Sequence, residues 1–470
     1  MTTQEAWQKQ KELMEDYKKN KPDLIVCSKA RAEADTFKEI GIKNLPTNRP
    51  RGYLRLHYSD FLVEEKTQDD QIIKLDDIDG EISSLAELPR GKNERTLYAN
   101  LIKIGLTTNA AVDRLTESLN YDGKIGYAGL KDDQAITAQL LAFPKIKQSA
   151  AALLKIKISN LILTKFRWGK GTIKPGYLNG NVFTITIRTE TAVDREELKL
   201  KLENLEKFGF LNYFQSQRFG GARLISHKIG KLILQGNYEL AVKHLLFKTN
   251  VYETPLIAEF KKQAEKIYPD FKRMETIFEK LPYSFLYELR VINYLKNKPA
   301  DFTGALAEIG DSITICLYAY ASLLFNRYLS DHATSRGVTD ERFPLLLSSD
   351  QADHEFYREY LREDNIKDIF SVLKPFRFLY WAKRDWAGRI FPKNIKAEIF
   401  KGGAVVNFFL PKGAYATTFL TNLFELHEEA PIPAWVNKIE IDAKELLGQG
   451  NLARVKEVFK DYWDYKNTLL

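Results

Sequence analysis

Cysteine is nearly missing. Two residues, Cys27 and Cys316, in a chain of 470 exclude a scaffold built on disulfides. With no CxxC pair and no His-Cys cluster, no zinc site of the usual spacing can be drawn, and both thiols are expected to be inert in a reducing compartment. The six histidines are scattered and form no HExxH. A Walker loop and a dinucleotide glycine fingerprint are also absent. A calcium-loop hint at Asp77, Asp79 and Gly80 fails because Leu75 and Ala86 stand where acids are required. No metal and no organic cofactor is therefore expected. Long apolar runs are lacking too. The longest, Ile313 to Phe325, falls short of the about 20 residues a membrane helix needs and runs straight into Asn326 and Arg327. The opening residues are charged throughout, without the apolar centre of a signal peptide. A soluble, cytoplasmic protein with no membrane partner is the expectation.

There is also no acidic excess. Lysine and arginine number 70 against 62 aspartates and glutamates, a net charge of +8 with a pI near 9.0, which is compatible with a polyanionic partner. A hydrophobic share of 44% is enough for sizeable cores, and the length implies two or three domains. Residues 1 to about 22 read as a charged, exposed helix, and 23 to 47 as a second helical piece leaving through NLPTNRP. From Arg51 the pattern changes. LRLHYSDFLVEE reads as a strand, and Gly180 to Arg188 alternates at period two. LYANLIKIGL and NAAVDRLTESLN read as helices, the second with Thr108 as N-cap. From about 228 to 372 the chain reads almost wholly helical, and strand character returns at Ala404 to Pro411. The expectation is an α+β fold with a mixed sheet flanked by helices. It comprises an extension (1–47), a discontinuous sheet domain (48–227 and 396–470) and a largely helical insertion (228–395).

The most informative segment is GLKDDQAITAQ, Gly129 to Gln139. Its flanks, KIGYAGL and AITAQLLAF, have the length and alternation of strands, so Lys131-Asp132-Asp133-Gln134 is a short connection at a sheet edge. An acid fixed on such a loop can face a cleft while the scaffold holds it still. Taken alone, the segment is as well described as a polar turn. Further stretches carry chemistry-bearing side chains. Arg55 precedes Asp60-Phe61, which alone reads as an amphipathic edge strand. Lys92-Asn93-x-x-Thr96 reads as a loop and helix start. Leu178-x-Gly180-Asn181-x-Phe183 is a turn into a strand. Asn212-Tyr213-Phe214-Gln215-Ser216-Gln217-Arg218-Phe219-Gly220 is dense in aromatics and amides, the groups that stack on splayed bases and bond their edges, although core aromatics at an element end explain it equally well. Phe409-Leu410-Pro411-x-Gly413-x-Tyr415-Ala416-Thr417 reads as strand, sharp turn and helix start. Two basic, aromatic-rich stretches complete the set. Lys155 to Lys174 includes Lys165, Arg167 and Lys170 with no acid, and Lys374 to Lys393 has a single Asp385. Each is a solvated face or an RNA groove.

These segments, in this order over roughly Arg51 to Leu426, resemble the motifs of the TruD family of tRNA pseudouridine synthases, and Leu324-Phe325-Asn326 matches a further step inside the insertion. Gln215 stands where the family usually has glycine, and Arg55 where a closely compared member has lysine. The resemblance implies a pseudouridine-synthase-type, mostly antiparallel sheet with a TruD-type insertion. It implies isomerisation of uridine to pseudouridine, most specifically at uridine 13 in the D-arm of tRNA, without a cofactor. It makes Asp132 the nucleophile and Arg55 its ion-pair partner, an adjacent cation favouring the ionised carboxylate. Phe214 would stack on the uracil and Asn212 would position the Asp132 loop. Lys131, Gln139, Gln217, Arg218, Lys165, Arg167 and Lys170 are expected to bind substrate. A monomer is expected. Two alternatives stay open at this point: a non-catalytic RNA-binding or RNA-chaperone protein on the same scaffold, and a metal-dependent phosphotransferase or nuclease using Asp132 and Asp133.

Overall fold

A computed structural model describes residues 3–27, 31–78, 88–146, 158–332, 341–348, 350–380, 383–428 and 431–463. Lys155 and Lys157 of the first basic stretch, and Asp79 and Gly80 of the calcium-loop hint, lie outside the described residues. The fold is mixed α+β. Contacts divide the chain into two units, 46–210 with 390–428 and 433–470, and 1–45 with 211–389 and 429–432.

The first unit is built on one ten-stranded sheet: β1 (Arg51–Tyr53), β2 (Phe61–Lys66), β3 (Thr96–Ile104), β4 (Gly126–Tyr127), β5 (Ile136–Pro144), β6 (Leu161–Gly169), β7 (Gly180–Thr189), β8 (Lys393–Phe400), β9 (Gly403–Pro411) and β10 (Glu425–His427). Its main order is β8-β9-β7-β2-β5-β3-β6, with β4 on β5 and β1 on both β7 and β10. Among the described residues of this sheet, only β2 with β5 and β1 with β10 pair in parallel. The expected strand at Gly180 to Arg188 lies between β9 and β2, and Ala404 to Pro411 falls within β9. A Cβ at Gly180 would come 2.1 Å from the Leu410 carbonyl oxygen, so the close approach of β7 to β9 there requires glycine.

Three local expectations are corrected. LYANLIKIGL is not a helix, because Tyr98 to Ile104 belongs to β3, paired with β5 and β6. Both faces of β3 are covered, Leu97, Ala99 and Leu101 by one core and Ile102 and Ile104 by the other, so its sequence is almost continuously apolar and loses the alternation that marks a half-buried strand. The helix that follows, α1 (Thr108–Leu119), is capped by Thr107, whose hydroxyl accepts from the Ala110 N–H at 3.2 Å. Thr108 is its first residue, with a buried hydroxyl used elsewhere. LRLHYSDFLVEE is strand only from Phe61, because β1 ends at Tyr53, Arg55 takes a left-handed φ of 58° and a 3₁₀ turn at Tyr58–Asp60 precedes β2.

One face of the sheet packs α1 through Ala111, Leu115 and Leu119. The other is covered by the chain's last described turns through Ala443, Leu452, Val455 and Phe459. The fully buried Arg188 ties that terminal segment to the sheet. It pairs with buried Asp60 and donates to the carbonyls of Asn437 at 2.7 Å and Ile439 at 3.0 Å.

The second unit is largely helical. Its core joins helices Ser226–Leu234, Tyr238–Phe247, Leu286–Asn297 and Gly310–His332, with Leu13, Met14 and Tyr17 of the N-terminal helix Thr3–Asn20 packed against it. A small antiparallel pair, Arg342–Pro344 with Asp385–Ala387, completes it. Burial pushes the Cys316 thiol up to about 12, which makes it unreactive.

Candidate active site

In the sheet unit, the loop between β4 and β5 carries Lys131, Asp132 and Asp133, and several of its backbone groups have fixed partners. The Lys131 N–H donates to the Thr108 hydroxyl at 2.8 Å, and that hydroxyl donates to Gln139 Oε1 at 2.8 Å. Gln139, wholly buried on β5, returns its amide to the Gly129 carbonyl at 3.3 Å. From below, Lys103 on β3 points its ammonium at the carbonyls of Asp132, 2.9 Å, and Lys131, 3.4 Å, and also at that of Leu106. The Lys131 side chain turns inward to Glu65 of β2, which also accepts from the Leu140 N–H at 3.2 Å. This buried pair ties the loop to the parallel β2–β5 step at the middle of the sheet.

On this rigid base the Asp132 side chain remains 45% exposed. The Arg55 guanidinium reaches its Oδ2 at 2.9 Å and Glu428 Oε2 at 3.3 Å, so one arginine bridges two carboxylates. Arg55 is itself 5% exposed and lies over the Phe61 ring, 4.2 Å from its centroid. Its left-handed backbone turns the side chain back over β2, a costly conformation for a residue with a Cβ and a mark of a site where orientation matters. The family resemblance places Arg55 beside Asp132, and in the structure the two side chains are paired.

The other expected residues fall in different settings. Lys131 and Gln139 are buried struts of the loop. Lys165, Arg167 and Lys170 lie on or just after the edge strand β6, where the ladder to β3 shifts register and Lys165 takes a φ of 48°. Such a bulge re-aims neighbouring side chains. Arg167 stands 5.8 Å from the Tyr98 ring, and Lys165 and Lys170 are exposed. In the helical unit, Asn212 donates its side-chain amide to the Ala387 carbonyl at 3.0 Å and its N–H to Gly388 at 2.9 Å. Phe214 is wholly buried, 5.4 Å from Phe325 and 5.2 Å from Trp386, with the Arg218 guanidinium 5.1 Å from its ring. Gln217 is exposed in the 3₁₀ turn Ser216–Phe219. The Leu324-Phe325-Asn326 step has a structural purpose. Buried Asn326 accepts from the Phe214 N–H at 2.9 Å and donates to the carbonyls of Phe214 and Ile40, both at 2.9 Å. In the second basic stretch Arg384 covers the Tyr318 ring at 4.6 Å and Lys383 pairs with Asp350 at 2.9 Å.

A model of the family "tRNA pseudouridine synthase D (TruD)" matches residues 39–344. The chain belongs to the TruD family. A probable tRNA pseudouridine synthase D of Methanopyrus kandleri is 27% identical over 358 residues, 71% of this chain and 86% of the relative. The tRNA pseudouridine synthase D of Helicobacter pylori strain G27 is 27% identical over 343 residues, 68% of this chain and 84% of the relative. Among solved structures, a putative TruD from Methanosarcina mazei aligns with a TM-score of 0.59 at 22% identity, covering 82% of this chain and 97% of that one, a likeness of fold. As a TruD member the chain is an enzyme, an isomerase of the pseudouridine synthase class. No helix among the described residues is long and apolar enough to cross a membrane. Nor do three or more His, Cys, Asp or Glu side chains among them converge as a metal site would need.

Sequence reasoning missed Lys103, Glu65, Thr108 and Glu428. For Lys103 a signal was present: Leu97, Ala99, Leu101 and Lys103 share one face at period two, and a lysine ending an otherwise apolar row marks a buried amine with a task. The helical reading of the segment hid it. Glu428 offers no signal, since its meeting with Arg55 depends on the return of β10 beside β1.

Proposed function

We propose that this TruD member converts uridine to pseudouridine in tRNA, at uridine 13 of the D-arm, with Asp132 as nucleophile. The observation that carries the reading is the half-exposed Asp132 carboxylate, held by a buried arginine on a loop whose backbone is pinned from three sides. The target base must leave its stack, at a cost of about a few kcal/mol. Lys165, Arg167 and Lys170 on the sheet unit, and Gln217 and Arg218 on the helical unit, are proposed to hold the RNA and offset that cost. Lys131 and Gln139 serve the reaction by fixing the loop. Asp132 attacks at the ribose C1′, displacing the uracil as the C1′–N1 bond breaks, or adds at the base C6 before that bond breaks. The uracil then turns, C5 bonds to C1′, the Asp132 carboxylate is released and the C5 proton leaves to solvent. Phe214 is proposed as the stacking platform. Because its ring is covered by Phe325 and Trp386, that role requires Trp386 or the Arg218 guanidinium to give way to the base. The positioning of the Asp132 loop by Asn212 is proposed on the family resemblance alone. The sheet unit is proposed as the catalytic domain, the helical segment as the family's insertion, and the active form as a monomer working without metal.

The test is tritium release from [5-³H]uridine-labelled tRNA transcripts with EDTA present. Wild type should release tritium and Asp132→Ala should not, and a transcript with uridine 13 replaced should lose the signal. Binding without release by the wild type would favour a non-catalytic RNA-binding protein. Release that EDTA abolishes would favour metal-dependent chemistry.

A further inference from the structure

Lys103 lies at a register position built for an apolar side chain. It follows Leu97, Ala99 and Leu101 on the face of β3 that packs α1, and it sits opposite buried Thr137 of β5. Nothing of Lys103 is exposed. An ammonium group in such a place is strongly penalised unless each donor finds an acceptor. Here its three acceptors are all backbone carbonyls, and two of them, Lys131 and Asp132, belong to the loop that carries the candidate nucleophile. The third, Leu106, belongs to the turn leading into α1, whose first residue, Thr108, pins the same loop from its other side.

We propose that Lys103 is a positioning residue for Asp132, fixing through its carbonyls the loop whose carboxylate Arg55 holds. The inference rests on the reading of Asp132 as nucleophile. An unpaired carbonyl at Asp132 would let the peptide rotate, and a rotation there swings the carboxylate away from Arg55. Burial lowers the Lys103 pKa from its ordinary value to about 7, with Asp132 and Asp133 opposing the shift and Lys131 adding to it. Glu65 and Arg55 neutralise the nearest other charges, Lys131 and Asp132. Above that pH the amine keeps fewer donors than it has carbonyls to serve and carries no charge. The protonated form is therefore the one that orders the loop, and turnover falls as pH rises through neutrality.

The experiment compares wild type, Lys103→Met and Asp132→Asn in steady-state pseudouridine formation on a tRNA transcript between pH 6 and pH 9. Methionine keeps the length and the apolar packing. Lys103→Met should lose on the order of 10- to 100-fold in kcat, the loss of charge-assisted contacts to the backbone that carries the reacting group. KM should stay within about twofold, because no RNA contact is removed. The decline of kcat above neutral pH, present in the wild type, should vanish in the variant. Equal kcat and equal pH profiles in the two proteins would overturn the proposal. Should Lys103→Met not fold, the wild type decides. A lysine ¹³Cε resonance titrating at the same pH as the kcat limb supports the proposal, and a kcat independent of pH over this range overturns it. Turnover by Asp132→Asn would instead remove the nucleophile reading itself. An inactive Asp132→Asn beside a Lys103→Met indistinguishable from wild type removes only the role of Lys103.

Discussion

Asp132 is half exposed, whereas Arg55, which reaches it at 2.9 Å, is almost wholly buried over the Phe61 ring and bridges on to Glu428. The asymmetry suits a nucleophile and its support. On the proposed reading the carboxylate meets a base coming from solvent, while the cation stays where it is. A lysine in place of Arg55 has no planar fork to span two carboxylates and stack on a ring at once. Arg55→Lys is expected to weaken a charge-assisted contact by about 1.5–3 kcal/mol, on the order of 10- to 100-fold in kcat. Tritium release under saturating tRNA measures it. Unchanged kcat would mean that a point charge suffices and that the bridge to Glu428 is idle.

Lys131 entered the sequence reading as a substrate contact and is found buried against Glu65. The two roles predict different failures. Lys131→Met should leave Glu65 charged and unpaired inside the sheet, at a cost of about 3–5 kcal/mol in stability. Urea melts would register this as a lower midpoint with the same slope. Lys131→Met with Glu65→Gln should recover part of the loss. A variant of wild-type stability with weakened tRNA binding would return Lys131 to the RNA surface.

Burial of Lys103 also predicts a pH dependence of stability in the absence of RNA. Its folded pKa, about 7, lies below the ordinary value of 10.5, so between these the unfolded chain holds more protons than the folded one. Stability attributable to this group is fully present above the upper value and declines as pH falls toward the lower. It is constant, and least, below about 7. Lys103→Met should flatten that part of the stability profile between pH 7 and pH 10, measured by urea unfolding at fixed ionic strength. An identical slope in variant and wild type would place the amine in contact with water.

Much of the site was legible because it is local. The Gly129 to Gln139 loop, the turn into β7 at Gly180 and the turn after β9 are each short stretches whose residue types follow from a backbone requirement. Pairing Arg55 with Asp132 needed the family resemblance, since 77 residues separate them. What stayed hidden depends on long-range burial. β3 is covered on both faces, so its pattern merges with that of a helix, and with it went Lys103. Glu65 was visible only as one acid in a strand, because its worth lies in Lys131 and Leu140 across a parallel step. Asn326 stood out as a polar residue ending an apolar run, but its three bonds to Phe214 and Ile40 exist only once the chain has returned.

Those three bonds give a prediction for the helical unit. Asn326→Leu would strand a donor and two acceptors that are shut away from water, each costing about 1–3 kcal/mol when unpaired. Loss of several kcal/mol is therefore expected, and hydrogen exchange at the Phe214 amide should accelerate more than exchange in the middle of helix Leu286–Asn297. Exchange unchanged at Phe214 would mean that another group takes over its N–H.

The basic edge of the sheet makes the last claim testable through salt. Lys165 and Lys170 are exposed on or beside β6, and Arg167 lies between them near Tyr98. A solvated face and an RNA groove look alike in a static structure but differ in counterion release. If these three side chains meet phosphates, removing all of them should weaken tRNA binding by a factor that grows as salt is lowered. The slope of log Kd against log salt should shrink by roughly 2 to 3, at about 0.7–0.9 per phosphate contact. Saturated turnover should be preserved, since no group near Asp132 is altered. A triple alanine variant with the wild-type slope would assign this edge to solvent and move the RNA surface to the other basic residues.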